Sequence, residues 1–105
     1  MKLGTIKQLE KDVRDNNWKA FVKLYADRRE CTVFRDNVAI ITLSTKDDDT
    51  WGHLFLNGYM YDMNYWEEDE NHHCLAIYPL FYKDRNLCTD TGRYIRLANV
   101  VVEIG

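Results

Sequence analysis

The chain has 105 residues, 46% of them hydrophobic and 13% aromatic, with one proline, five glycines and a formal net charge of −3. That length suits one domain with one core, and that composition excludes an intrinsically disordered chain, which is poor in aromatic residues and rich in proline. The charge is unevenly spread: residues 1–36 carry nine basic and six acidic side chains, residues 37–82 one and eight, and residues 83–105 four and three, for local balances of +3, −7 and +1.

An acidic middle argues against direct nucleic-acid binding, which needs a basic footprint. No run approaches the roughly 18–20 consecutive apolar residues of a membrane span, and residues 1–13 alternate charged with apolar side chains where a signal sequence would be apolar, so a cytoplasmic protein with no membrane partner is expected. Three cysteines, Cys31, Cys74 and Cys88, form no CxxC pair. An odd number without close spacing argues against a disulfide framework and reads as buried, inert thiols in a reducing compartment.

Thr5 and Gln8 have the spacing of a capping box, and Ile6, Leu9 and Val13 follow at helical intervals. The spacing predicts a helix over residues 5–14, ended by the turn-forming run Asp15-Asn16-Asn17. Trp18 to Arg29 fits two templates. Trp18, Phe21, Val22 and Tyr25 make a helical stripe, while Trp18, Ala20, Val22, Leu24 and Ala26 alternate as in a strand. Asn17 as an N-cap and the placement of Lys19, Lys23 and Asp27 away from the stripe favour the helix.

From Glu30 the residues become β-branched and aromatic. Cys31 to Phe34 and Val38 to Leu43, separated by Arg35-Asp36-Asn37, read as a hairpin, and Ser44 to Thr50 as a polar loop. The most specific local signal comes next: Asn57-Gly58 between Leu54-Phe55-Leu56 and Tyr59-Met60-Tyr61. A two-residue hairpin turn needs positive φ at both central positions, and this dipeptide supplies it. Trp66 to Asn71 reads as an acidic exposed connection. Cys74 to Tyr82 resumes a strand, with Pro79 marking an edge or bulge because it cannot donate to a ladder. Asp84 to Gly92 reads as a loop and Tyr94 to Ile104 as a final strand, buried at Val100-Val101-Val102. The expected fold is a single α+β domain over residues 1–105, with one or two N-terminal helices packed on an antiparallel sheet of about five strands.

No catalytic signature is present. GxSxG, GxGxxG and phosphate-cradling glycine loops are absent, and no cofactor is implied. The acidic run preceding Cys74 disfavours its thiolate and hence a nucleophilic role. Asp47-Asp48-Asp49 lacks the spacing of a calcium loop. The densest set of metal-ligand types is His72-His73-Cys74, with His53 elsewhere. Strand alternation lets His72 and Cys74 share a face that His53 joins only if its strand lies alongside, and no zinc-motif spacing appears. A small metal-assisted hydrolase using His53, His72 and Cys74 is therefore the enzyme alternative.

Nine of the fourteen aromatic residues fall between positions 51 and 82, interleaved with five carboxylates. A core of this size does not readily absorb all of them, and tyrosine and tryptophan are enriched at interface hot spots. The expectation is a protein-binding surface formed by Trp51, Tyr59, Tyr61, Asp62, Tyr65, Trp66, Glu67, Glu68, Asp69 and Glu70, facing a partner with a basic surface. One such partner class is a nucleic-acid-binding protein, with carboxylates standing in for phosphates. A homo-oligomer using the same surface against itself is the structural alternative.

Overall fold

The structure, a computed structural model, describes residues 2–15, 20–24, 30–32, 34–35, 38–43, 49–69, 71–84, 86–97 and 100–104. Helix α1 (Ile6–Asp15) begins where the capping box places it: the Gln8 backbone N–H donates to Thr5 Oγ1 at 3.1 Å. The Gln8 side chain turns forward to Asp12 Oδ1 at 3.1 Å, one helical turn on, so only half of the box forms. No helix among the described residues is long and apolar enough to cross a membrane.

The Asn57-Gly58 turn joins strand β6 (Asp49–Leu56) to β7 (Tyr59–Asp69). Asn57 has φ 49° and Gly58 φ 86°, the positive pair that matches the twist of the flanking strands. The two strands stay in register from Leu56↔Tyr59 to Asp49↔Trp66. On the far side of β7 runs β8 (His72–Tyr78), antiparallel, with a register shift between Glu67 and Asp69. Beyond β8 lies β11 (Ile95–Leu97), and beyond β6 lie β2 (Ala20–Leu24) and β3 (Glu30–Thr32). The short β1 (Lys2–Leu3) pairs in parallel with the start of β7 and completes a seven-stranded sheet.

Directly opposed residues share a face of a sheet. Leu54, Leu56, Tyr61, Met63, Tyr65, Leu75 and Ile77 therefore point to one side, where they form a fully buried cluster with Leu9 of α1. Ala39 and Ile41 join it from β5 (Val38–Leu43). This β5 belongs to a second sheet, between β4 (Phe34–Arg35) and β12 (Val100–Ile104), the latter running parallel to it. A third pair, β9 (Leu80–Lys83) with β10 (Asn86–Thr89), forms a separate hairpin.

Several sequence expectations are corrected. The chain is α+β, but the sheets are mixed, not purely antiparallel, and the described residues hold twelve strands in three groups. The described part of Trp18–Arg29 is the strand β2, not a helix. Flanked by β3 and β6, its backbone is satisfied on both edges, and tertiary pairing overrides a stripe that fits either period. Cys31 to Phe34 divides between two sheets, so the second hairpin is confined to β4 and β5. Trp66 to Asp69 continues β7 and is not a connection. Pro79 separates β8 from β9, β10 occupies part of the supposed loop after Asp84, and Tyr94 to Ile104 makes two strands in different sheets. Val101 is 47% exposed, so Val100 to Val102 is not a buried run. Asn16, Asn17, Asp36, Asn37, Ser44 to Asp48 and Glu70 lie outside the described residues, as do the turn and cation-loop expectations placed on them.

Candidate functional site

The alternation that sends Leu54, Tyr61 and Leu75 inward sends their neighbours outward. Across β6, β7, β8 and β11 the register aligns Trp51, Asn64, Ala76 and Arg96 in one row on the outer face. The next rows bring His53, Asp62 and Tyr78 to one side and Trp66 and Cys74 to the other. Tyr94, just before β11, reaches onto the same face.

These side chains contact one another in sequence. The Arg96 guanidinium lies 5.2 Å from the Trp66 ring centroid and 5.8 Å from that of Tyr94. Tyr94 meets Tyr78 at 5.4 Å, and Tyr78 stacks on Trp51 at 6.2 Å with 17° between planes. The result is a continuous array of four rings and one planar cation spanning four strands. It covers Ala76 completely, while Trp51 and Tyr94 remain 42% and 45% exposed. Beneath it the Asn64 Oδ1 is buried without a hydrogen-bond partner.

One end of this face is acidic. β7 ends there with Glu68 and Asp69, both exposed, whereas Glu67, opposite His73, falls on the inner side with Tyr65. Glu68 accepts a hydrogen bond from Trp66 Nε1 at 3.4 Å and lies 3.9 Å from Arg96 Nη1. Asp69 accepts from the backbone N–H of Asn71 at 2.8 Å and pairs with His72 Nδ1 at 2.6 Å. The backbone donor, then His72, holds its carboxyl below the usual carboxylate range.

The expected partner surface is divided by the sheet. Trp51 and Trp66 stand on the outer face and Glu68 and Asp69 are exposed, but Tyr61 and Tyr65 are fully buried in the core and Tyr59 packs against it. Asp62 faces outward yet is buried, because the β9–β10 hairpin covers it and Thr89 Oγ1 donates to its Oδ2. Glu67 is half-buried. Sequence reasoning missed Tyr94, Arg96 and Asn64. The alternation of Tyr94 and Arg96 with Ile95 and Leu97 was the available signal.

A cleft of about 360 Å³ opens where β8 meets β11, lined by residues that include Glu68, His72, His73, Cys74 and Arg96. His73 Nδ1 is engaged by the Tyr65 hydroxyl at 2.8 Å. Burial, then Glu68, pushes the Cys74 thiol up, which keeps it protonated and poorly nucleophilic at neutral pH. His53 sits opposite Asp62 two strands from β8, whereas His72 is paired with Asp69, so His53, His72 and Cys74 do not converge. Among the described residues no group of three or more histidine, cysteine, aspartate or glutamate side chains is arranged to hold a metal ion. No protein-family model, curated protein or solved structure matches this chain, and the outer aromatic face with its acidic end is the feature on which a functional reading rests.

Proposed function

We propose that this chain is a non-catalytic module that binds another protein through the outer face of β6, β7, β8 and β11, with the acidic end of that face turned toward a basic region of the partner. The observation that carries this reading is the array from Trp66 through Arg96, Tyr94 and Tyr78 to Trp51, which leaves large aromatic surface in water. Aromatic residues held rigid by one another lose little conformational entropy on binding, which is why they recur as interface anchors. The exposed Glu68 and Asp69 supply the charge that steers encounter.

The test is affinity capture from a lysate of the source organism at 50 mM and 500 mM salt, comparing the wild-type chain with a Trp51→Ala, Tyr94→Ala double variant. A stoichiometric protein retained by the wild type, weakened by salt and lost with the variant supports the reading. Identical retention by both chains refutes it. A nucleic-acid-handling partner would identify the carboxylates as phosphate substitutes.

A further inference from the structure

We infer that the cleft between β8 and β11 binds a small zwitterion, an α-amino acid with an aliphatic side chain, its carboxylate held by Arg96 and its ammonium by Glu68. This goes beyond the protein-binding reading, since it uses the edge of the sheet and needs neither Trp51 nor Tyr78.

Both charged groups are positioned by other parts of the fold. The Arg96 guanidinium lies over the rings of Trp66 and Tyr94. Contact through its flat faces leaves the N–H donors, which lie in the guanidinium plane, directed outward at its rim. Glu68 is placed by an irregularity in the sheet. Glu67 pairs with His73 and Asp69 with His72, so Glu68 is the extra residue of a β-bulge. A bulge re-aims a side chain, and bulges recur beside functional sites. The Glu68 carboxylate also accepts from Trp66 Nε1 at 3.4 Å. Trp66 therefore steadies both charges, one over its ring face and the other at its ring edge.

The two charges are held near each other without closing. Arg96 Nη1 and Glu68 Oε1 are 3.9 Å apart, whereas a charge-assisted N–H···O bond closes to about 2.7–2.9 Å. Among the described residues no hydrogen bond spends the Arg96 donors. An α-amino acid carries the matching pair, an ammonium and a carboxylate on one carbon atom, and so reaches both groups at once.

Size and charge balance select within that chemistry. The cleft measures about 360 Å³, at the small end of ligand pockets. Of the other polar groups that line it, His72 has Asp69 as its counter-charge, and the protonated Cys74 thiol carries none. Arg96 and Glu68 therefore offset each other. A ligand bearing both charges leaves neither of them unmatched, whereas a plain carboxylate desolvates Glu68 without a partner and a plain amine does the same to Arg96. Leu97 and Val100, both half-buried, supply an apolar wall that suits an aliphatic side chain.

The probe is L-leucine, titrated into the full chain at 50 mM salt and followed by calorimetry and by the Trp66 indole N–H signal in NMR. N-acetyl-leucine keeps the carboxylate without the positive charge, leucinamide keeps the ammonium without the negative charge, and glycine keeps both without the side chain. The expected result is saturable binding of leucine with a Kd of about 1 mM or below, modest as befits so few atoms, at least tenfold tighter than for any of the three, with the Trp66 signal shifting. Arg96→Gln and Glu68→Gln should each weaken leucine binding at least fivefold. The first should erase the preference over leucinamide and the second the preference over N-acetyl-leucine. Circular dichroism and urea melts confirm that each variant is folded.

Absence of leucine binding overturns the inference, as does equal affinity for any of the three comparison compounds, or leucine affinity unchanged by Glu68→Gln in a folded chain. Tighter binding of N-acetyl-leucine than of leucine would assign the cleft to a lone carboxylate and overturn the zwitterion. Lysate capture through Trp51 and Tyr94 is decided by different residues and a different ligand, so the protein-binding reading and this one fail separately.

Discussion

Thr89 Oγ1 donates a 2.8 Å hydrogen bond to the Asp62 carboxylate, a residue 27 positions earlier in the chain, and so ties the β9–β10 hairpin to the centre of the main sheet. Two-stranded hairpins are marginal in isolation, and this one carries Phe81, Tyr82 and Leu87 in contact with water. Thr89→Val keeps the shape and removes the donor. It should cost about 1–3 kcal/mol by urea denaturation, with faster amide exchange in β9 and β10 than elsewhere. Unchanged exchange in that hairpin would show that it is fastened by something else.

Gly4 is required by close approach. Its N–H donates to the Met60 carbonyl at 2.9 Å, and a methyl group at its Cα would fall inside the ring of Tyr61. Tyr61 is enclosed in the core and has nowhere to move. Gly4→Ala should therefore lower stability by about 1–3 kcal/mol, the range of overpacking in a filled interior. An unchanged urea midpoint would mean that β1 is not seated against β7.

The same tyrosine offers the opposite experiment. The Tyr61 hydroxyl is buried without a hydrogen-bond partner, and burial raises its pKa well above that of free tyrosine. Removing an unmatched polar atom while keeping the ring relieves a desolvation cost. Tyr61→Phe should leave stability unchanged or raise it by about 1 kcal/mol. A loss larger than about 1 kcal/mol would reveal a partner for the hydroxyl.

His53 links stability to pH. Burial lowers its pKa below the ordinary 6.5, Asp62 opposes this in part, and Lys23 adds to it. The unfolded chain then holds the proton more tightly than the folded one. Its contribution is complete above pH 6.5 and is lost as the pH falls through the lower folded value. Between pH 7.5 and pH 5 the wild type should lose more stability than His53→Gln, measured by urea midpoints. Parallel losses in the two chains would show that His53 titrates normally.

What could be read from the sequence follows from how local each signal is. Thr5 and Gln8 lie three residues apart and Asn57-Gly58 are adjacent, so the start of α1 and the central turn depend on neighbours alone. Val22 is different. Its environment is set by Cys31 on one side and Leu54 on the other, so the strand it occupies is chosen by pairing, which a stripe of apolar residues does not encode. The site divides the same way. Trp51 and Trp66 stood out by residue type, but which tyrosines join them depends on the pleat: Tyr61 and Tyr65 point into the core, while Tyr78 and Tyr94 face outward. Alternation is visible in the sequence, but its phase is fixed only by where the core lies.

The parallel pairing of β12 with β5 has a consequence for how the molecule assembles. Val100 meets Ala39, and Lys2 meets Tyr59, each across more than half of the chain. Neither contact is rewarded until a long loop has closed, and that closure entropy comes before any of the gain. The Asn57-Gly58 hairpin is the natural early structure, and the second sheet the late one. Refolding should proceed on the millisecond-to-second scale of topologically complex β proteins, with an interval in which β5 waits, its edge open, for its parallel partner to arrive.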